Sequence, residues 1–378
     1  MGICAKDWPC WSTEPGFKVF GETFMFCKIA TKQGINDVFC GLCACPHRVT
    51  GVRVLLTLVL IAVIATMCFS NVAYAATVAN DFNGDGKSDI LLHNTNTGDI
   101  YMWFMNGFAI ANGGFAVGNL ASDWQIKAVS DFNGDGKSDI LFHNTNTGDI
   151  YMYIMDGATI ANWGPVFTGL PSDWQIKAVS DFNGDGKSDI LFYNTNTGDI
   201  SMWLMDGVAV TSSEFVTKGL PAEWQIRTAS DFNGDGKSDI LFYNTNTDAI
   251  YMWLMDGIAV TSSGFVTTGL PSNWLLRATS DFNGDGKGDI LLQDDNTGAI
   301  YIWFMNGIAI ASGGFAFNRS IDSEWQIKAT SDFNGDGKSD VLFYRTNTGD
   351  IYIYLMNGIT AANGGFVTTG LALQWQIK

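Results

Sequence analysis

Between residues 76 and 378 the sequence contains no cysteine; all seven (Cys4, Cys10, Cys27, Cys40, Cys43, Cys45 and Cys68) lie upstream. Disulfides are therefore excluded from a region of 303 residues, which is long enough to bury a core without them. Histidine is almost absent too, with only His93 and His143 in this region, and there is no phosphate-binding glycine loop. Imidazole-centred catalysis and phosphoryl transfer have little to work with. Basic residues are scarce: six of the 21 Lys/Arg and four of the 38 Asp/Glu precede residue 76, leaving 15 against 34 and a net of −19. Such a surface repels nucleic acid and anionic lipid. No stretch shows a helical period, which excludes helix bundles and α/β folds.

One long apolar run stands out, Val54 to Ser70, 17 residues without a charge. Arg48 and Arg53 precede it, and Ala73-Tyr74-Ala75 follows as an A-x-A cleavage pattern. This is the layout of a secretory signal peptide over 51–75, with a mature chain expected from Ala76, exported and not inserted in the membrane once cleaved. A membrane anchor is the alternative. Residues 1–50 form a leader of uncertain status: Cys40, Cys43, Cys45 and His47 have a spacing that suggests zinc, but a mis-called translation start is the preferred explanation.

The rest of the chain is periodic. DFNGDGK begins at Asp81, Asp131, Asp181, Asp231, Asp281 and Asp332, at intervals of 50, 50, 50, 50 and 51. Within a unit, four short β-rich runs alternate with turn clusters. In the third run Ile100, Met102 and Phe104 alternate with Tyr101, Trp103 and Met105, so both faces are apolar, as in a sheet packed between two others. Asn106-Gly107, Asp156-Gly157 and their equivalents predict tight hairpins between the third and fourth runs. Small four-stranded antiparallel sheets repeated six times predict an all-β, six-bladed β-propeller over 76–378. The terminal run Trp375-Gln376-Ile377-Lys378 matches the first half of WQIKAVS, and Ala76–Asn80 the second half. One strand is expected to be split between the two ends of this region, closing the ring.

Each DFNGDGK(S/G)D segment carries oxygen donors at alternate positions, with a backbone carbonyl at position 7, the donor set of a Ca²⁺ loop. The expected ligands, with each lysine acting through its carbonyl, are Asp81, Asn83, Asp85, Lys87 and Asp89 in the first loop and Asp131, Asn133, Asp135, Lys137 and Asp139 in the second. They continue as Asp181, Asn183, Asp185, Lys187 and Asp189, then Asp231, Asn233, Asp235, Lys237 and Asp239. The last two sets are Asp281, Asn283, Asp285, Lys287 and Asp289, and Asp332, Asn334, Asp336, Lys338 and Asp340. Three carboxylates within nine residues repel one another unless a cation sits between them, so about six Ca²⁺ ions are expected, one per blade. Leu92 stands where an EF-hand needs glutamate, and no helices flank the loop.

These loops and their period resemble the FG-GAP or VCBS-type repeats of integrin α-subunit heads, some fungal lectins and many secreted bacterial proteins. The resemblance covers 76–378 and implies that the loop joins the inner strand of each blade to the second and holds calcium. The sequence departs from the integrin pattern after the second strand, where HNT, YNT or QDD stands in place of GAP.

The calcium loops and hairpin turns are expected on one face of the disc. The NTNTGD loops and the segments before each WQIK are expected on the other, the better candidate for ligand binding. Trp103, Trp203, Trp253 and Trp303 are expected to pack between blades, with sugar stacking as the alternative; Trp124, Trp174, Trp224, Trp274, Trp325 and Trp375 suit either role. His93, His143, Tyr193, Tyr243, Gln293 and Tyr344 form a variable polar slot at the end of the second strand. No catalytic set appears. The expectation is a monomeric, non-enzymatic extracellular module that binds a protein or surface polymer; a multivalent lectin and a ligand-free structural repeat are the alternatives.

Overall fold

The run WQIKAVS and its variants become the inner strand of each blade: Trp124–Ser130, Trp174–Ser180, Trp224–Ser230, Trp274–Ser280 and Trp325–Ser331. The DFNGDGK loop then turns the chain into a second strand such as Asp139–Asn144, a third such as Ile150–Asp156 and an outer strand such as Thr159–Phe167. The computed structural model describes residues 79–317 and 321–378, plus the backbone of two short strands, Lys18–Val19 and Glu22–Thr23, in a separate N-terminal unit. The apolar run, the cleavage pattern, the rest of the leader and residues 76–78 lie outside the described residues.

Among the described residues there are six four-stranded sheets, each ordered inner, second, third, outer with antiparallel neighbours. This is the six-bladed propeller that the period predicts. The hairpin between third and outer strands needs a positive φ, and Gly107 supplies it at 64°.

The alternating apolar faces of the third strand explain how the blades stack. Ile100 and Met102, fully buried, face the next blade and join Phe82, Leu91, Ile140, Phe142 and Met155 in one cluster. Met105, on the other face, joins Ile90 and Leu92 of its own blade and Phe333, Leu342, Ile351 and Ile353 of the preceding one. Every core is thus an interface between two blades, and no blade has a core of its own. The two faces differ more than the sequence suggests: Met102 is buried, while Tyr101 and Trp103 are half-buried against the preceding blade.

The first blade borrows its inner strand from the end of the chain. Trp375–Ile377 pairs antiparallel with Leu92–Asn94, and the Lys378 amide donates to the Leu91 carbonyl at 3.0 Å. At the other end of the strand the Asp89 amide donates to the Asn80 carbonyl at 2.8 Å. The structure thus shows the split strand at Asn80 and Trp375–Lys378. Deleting Trp375 to Lys378 is expected to leave the second-strand edge Leu92–Asn94 unpaired and one inter-blade core open. Differential scanning calorimetry should record a lower melting temperature and a hydrophobic dye should bind; an unchanged melting temperature would rule out closure at this seam.

Candidate metal centres

The loop is shaped from within by its own side chains. In all six copies, one carboxylate oxygen of the position-1 aspartate accepts the amide of the position-4 glycine at 2.7 Å. The other accepts the amide of the position-6 glycine at 2.8 Å. Both glycines sit at positive φ, 74° at Gly84 and 79° at Gly86, which a side chain would resist. The position-3 asparagine accepts the position-5 amide at 2.9 Å in the first loop, and Asp85 accepts the Lys87 amide at 3.0 Å.

Position 9 has a role that the spacing did not announce. Asp89 is buried beneath the loop, where Oδ2 accepts the Phe82 amide and Oδ1 the Met105 amide, both at 2.9 Å. Its five counterparts do the same with Phe132 and Met155, Phe182 and Met205, Phe232 and Met255, Phe282 and Met305, and Phe333 and Met356. This aspartate therefore ties the loop to the third strand of its own blade. Burial pushes the Asp89 carboxyl up to about 7, against the pull of its two amide bonds, and the charges of Asp81 and Asp85 add to the rise. Burial likewise raises Asp81, Asp131, Asp181 and Asp281 at position 1.

The expected ligands thus fall into two groups. Positions 1, 3 and 5 follow the loop, while position 9 lies under it; among the described residues no three carboxylate, imidazole or thiol groups converge on one point. The fit to Ca²⁺ therefore rests on donor chemistry, and that chemistry suits it. Each loop offers only hard oxygens, Oδ2 of each position-1 aspartate accepts a single amide and keeps a second lone pair, and the position-9 carboxylate is buried at electrostatic cost.

The loops also fasten blade to blade. The Asp81 carbonyl accepts the Ser138 amide of the next blade at 2.6 Å, and the Phe82 carbonyl accepts the Gly157 amide of that blade's hairpin at 2.9 Å. The series closes at Ser88, whose amide donates to the Asp332 carbonyl at 2.7 Å. Lys137 bonds Asp156 at 2.5 Å, which places loops and hairpins on one face as expected.

On the third strand Trp203 packs against Phe192 at 4.4 Å and against Phe167 of the preceding blade at 5.1 Å, while Trp253 packs against Phe242 at 4.6 Å. These tryptophans are inter-blade packing. The strand-opening tryptophans behave differently. Trp224, Tyr251 and Phe265 form an aromatic row across one blade, with Tyr251 and Phe265 at 4.8 Å, and Trp274–Tyr301–Phe315 and Trp325–Tyr352–Phe366 repeat it. The outermost ring is open to solvent: Phe265 is 53% exposed and Phe315 61%. In the last blade this row borders a cavity of about 410 Å³ that also includes Ile321 and Asp322.

A family comparison agrees with the repeat reading. The family model described as FG-GAP-like repeat matches residues 131–192. No curated protein matches the sequence. Among solved structures, the Photorhabdus luminescens Tc holotoxin pore is 14% identical at a TM-score of 0.49, over 76% of this chain and 14% of that one. A nidogen/laminin complex is 12% identical at a TM-score of 0.46, over 73% of this chain and 92% of that one. Hsv2 of Kluyveromyces lactis is 13% identical at 0.41, over 74% and 72%. None of these three structural likenesses bears on function.

Proposed function

Since its blades are FG-GAP-type repeats arranged as a six-bladed propeller, we propose that this chain is an exported, calcium-loaded binding module for an extracellular protein or surface polymer. The observation that carries the reading is the sixfold loop, in which Asp, Asn and Asp at positions 1, 3 and 5, a lysine carbonyl at 7 and a buried Asp at 9 are held in one hydrogen-bond pattern. In the second blade these are Asp131, Asn133, Asp135, Lys137 and Asp139. A bound Ca²⁺ would supply the positive charge that the buried carboxylates lack.

Export is proposed from the apolar run and Ala73-Tyr74-Ala75, and a monomer from the closed ring. No catalytic role is proposed, because the repeat region has only two histidines, at equivalent repeat positions, and no cysteine. Calorimetric titration of the metal-free protein is expected to count about six Ca²⁺ ions per chain, with Mg²⁺ a weaker competitor because it demands a tighter octahedron. A count of zero removes calcium from the proposal, and failure to retain any component of native medium removes the binding role.

A second reading, a lectin, is favoured by the aromatic rows and their exposed outer rings. The apolar face of a neutral sugar stacks on such a ring, and repeated weak sites gain strength together. The third blade departs from the pattern: Ser201 replaces the tyrosine, and the Lys218 ammonium lies over Phe215 at 4.4 Å. Changing Phe265 and Phe315 to alanine is expected to lower retention on a glycan array while leaving folding intact. Undiminished retention would exclude the rows.

A further inference from the structure

The repeat region has only 15 basic residues, and they are not scattered. Six are the loop lysines. Six more are the fourth residue of each WQIK-type run: Lys127, Lys177, Arg227, Arg277, Lys328 and Lys378. The fold brings this second set together. The run is the inner strand of every blade, and the inner strands of neighbouring blades contact one another, so they surround the propeller axis.

The ladder prepares five of the six cations in the same way, all but Lys378 at the seam. The register shifts between Ile126 and Ala128, between Ile176 and Ala178, and at the equivalent point in the next three blades, so the basic residue is the bulged one, left out of the pairing. A bulge re-aims its side chain out of the regular alternation. The cations sense their neighbours around the ring. The Lys177 ammonium is held down by burial and then by the charges of Arg227 and Lys127, and the Lys378 ammonium by burial and then by Lys328 and Lys127.

Carboxylates do not neutralise this ring. Among the described residues only Arg277 has an acidic partner, Asp295 at 2.8 Å. Lys127 bonds the neutral Gln125 at 2.9 Å and Lys378 the neutral Gln376 at 3.0 Å, while Lys177, Arg227 and Lys328 lie over Tyr193, Tyr243 and Tyr344. The polar slot at the end of the second strand thus supports the cations. A repeat region with a net charge of −19 has carboxylates to spare, yet leaves like charges facing one another around a single axis. Such repulsion is relieved when an anion sits among them.

We propose that the ring formed by Lys127, Lys177, Arg227, Arg277, Lys328 and Lys378 is a binding site for one compact polyanion, a saccharide bearing several sulfate esters. Several charges on one small scaffold match several cations around one axis, and both guanidinium and ammonium donate to sulfate oxygens. Sulfate is preferred to phosphate because polyphosphates would compete with the loops for Ca²⁺. The acidic loops do not oppose the ligand strongly, since they lie on the other face and charges more than about 8 Å away are largely screened at physiological ionic strength.

The probe is sucrose octasulfate, titrated into the full repeat region by calorimetry with 2 mM CaCl₂ present throughout. One molecule per chain is expected, because there is one axis, with affinity falling as NaCl rises. Inorganic sulfate at equal charge should bind far more weakly. Replacing Lys177 and Arg227 together by glutamine should weaken the octasulfate at least tenfold while keeping or raising the melting temperature, since it removes like-charge repulsion. The Lys218→Gln variant, which removes a cation outside the ring, should bind as the parent does. Absence of binding overturns the proposal, as does a stoichiometry near six or an equal loss in Lys218→Gln. These outcomes are separate from the calcium count, which tests the loops alone.

Discussion

Removing calcium is expected to lower the melting temperature of the propeller by many degrees, and restoring Ca²⁺ to return it more fully than Mg²⁺ does. Extracellular sites commonly bind at ~0.1–1 mM. At ~2 mM Ca²⁺ and a dissociation constant of ~0.1 mM, mass action gives roughly 1.8 kcal/mol for each site. Six such sites set an upper limit on the order of 10 kcal/mol, or up to about 15 °C for a domain of this length, an entropy of unfolding of about 2 cal/mol/K per residue being typical. The effect should spread around the ring, because each loop also bonds the next blade through carbonyls such as those of Asp81 and Phe82. The measurement is scanning calorimetry with and without EDTA; superimposable transitions would remove calcium from the account of stability.

Replacing the buried aspartate at position 9 should be costly even without metal. Asp189 accepts the Phe182 amide at 3.0 Å and the Met205 amide at 2.9 Å, and both bonds are buried. In Asp189→Ala two buried donors lose their acceptor, at about 1–3 kcal/mol each, so about 2–6 kcal/mol is expected in EDTA. Asp189→Asn should lose roughly half as much, since an amide oxygen can accept one of the two bonds while its NH₂ faces the other donor. Asp185→Ala is the contrast: its bond to the Lys187 amide at 2.9 Å is exposed. In EDTA that variant should change stability by less than about 1 kcal/mol, while in calcium it should bind one ion fewer than the parent. Equal destabilisation by Asp185→Ala and Asp189→Ala in EDTA would show that position 9 does not tie loop to sheet.

The two variants separate functions that the spacing alone presents as one. A D-x-N-x-D-G-x-x-D pattern makes positions 1, 5 and 9 look equivalent, three carboxylates aimed at one ion. In the folded chain positions 1 and 5 organise the loop, through bonds such as Asp181 to Gly184 at 2.7 Å, while position 9 reaches an amide sixteen residues on. The aromatic residues divide in the same way. Trp203 is packed between blades, whereas Trp224 starts a row that ends on a solvent-facing phenylalanine.

What could be read along the chain was whatever depends on near neighbours or on strict repetition. The fifty-residue period, the four strands, the glycine-bearing loops and the hairpins all follow from patterns a few residues long. Ring closure was legible for the same reason, because Trp375-Gln376-Ile377-Lys378 is half of a run that appears whole elsewhere. Contacts between strands, within one blade or between blades, were not legible. Met205 as the partner of Asp189 and the open outer rings of the aromatic rows depend on how the strands of one blade pair, and the six cations around the axis on which strand lies innermost and how neighbouring blades meet. Residues fifty positions apart carry no mark of their convergence. Only the packing of one apolar blade face on the next brings them together, because a blade with no core of its own is stable only against its neighbours.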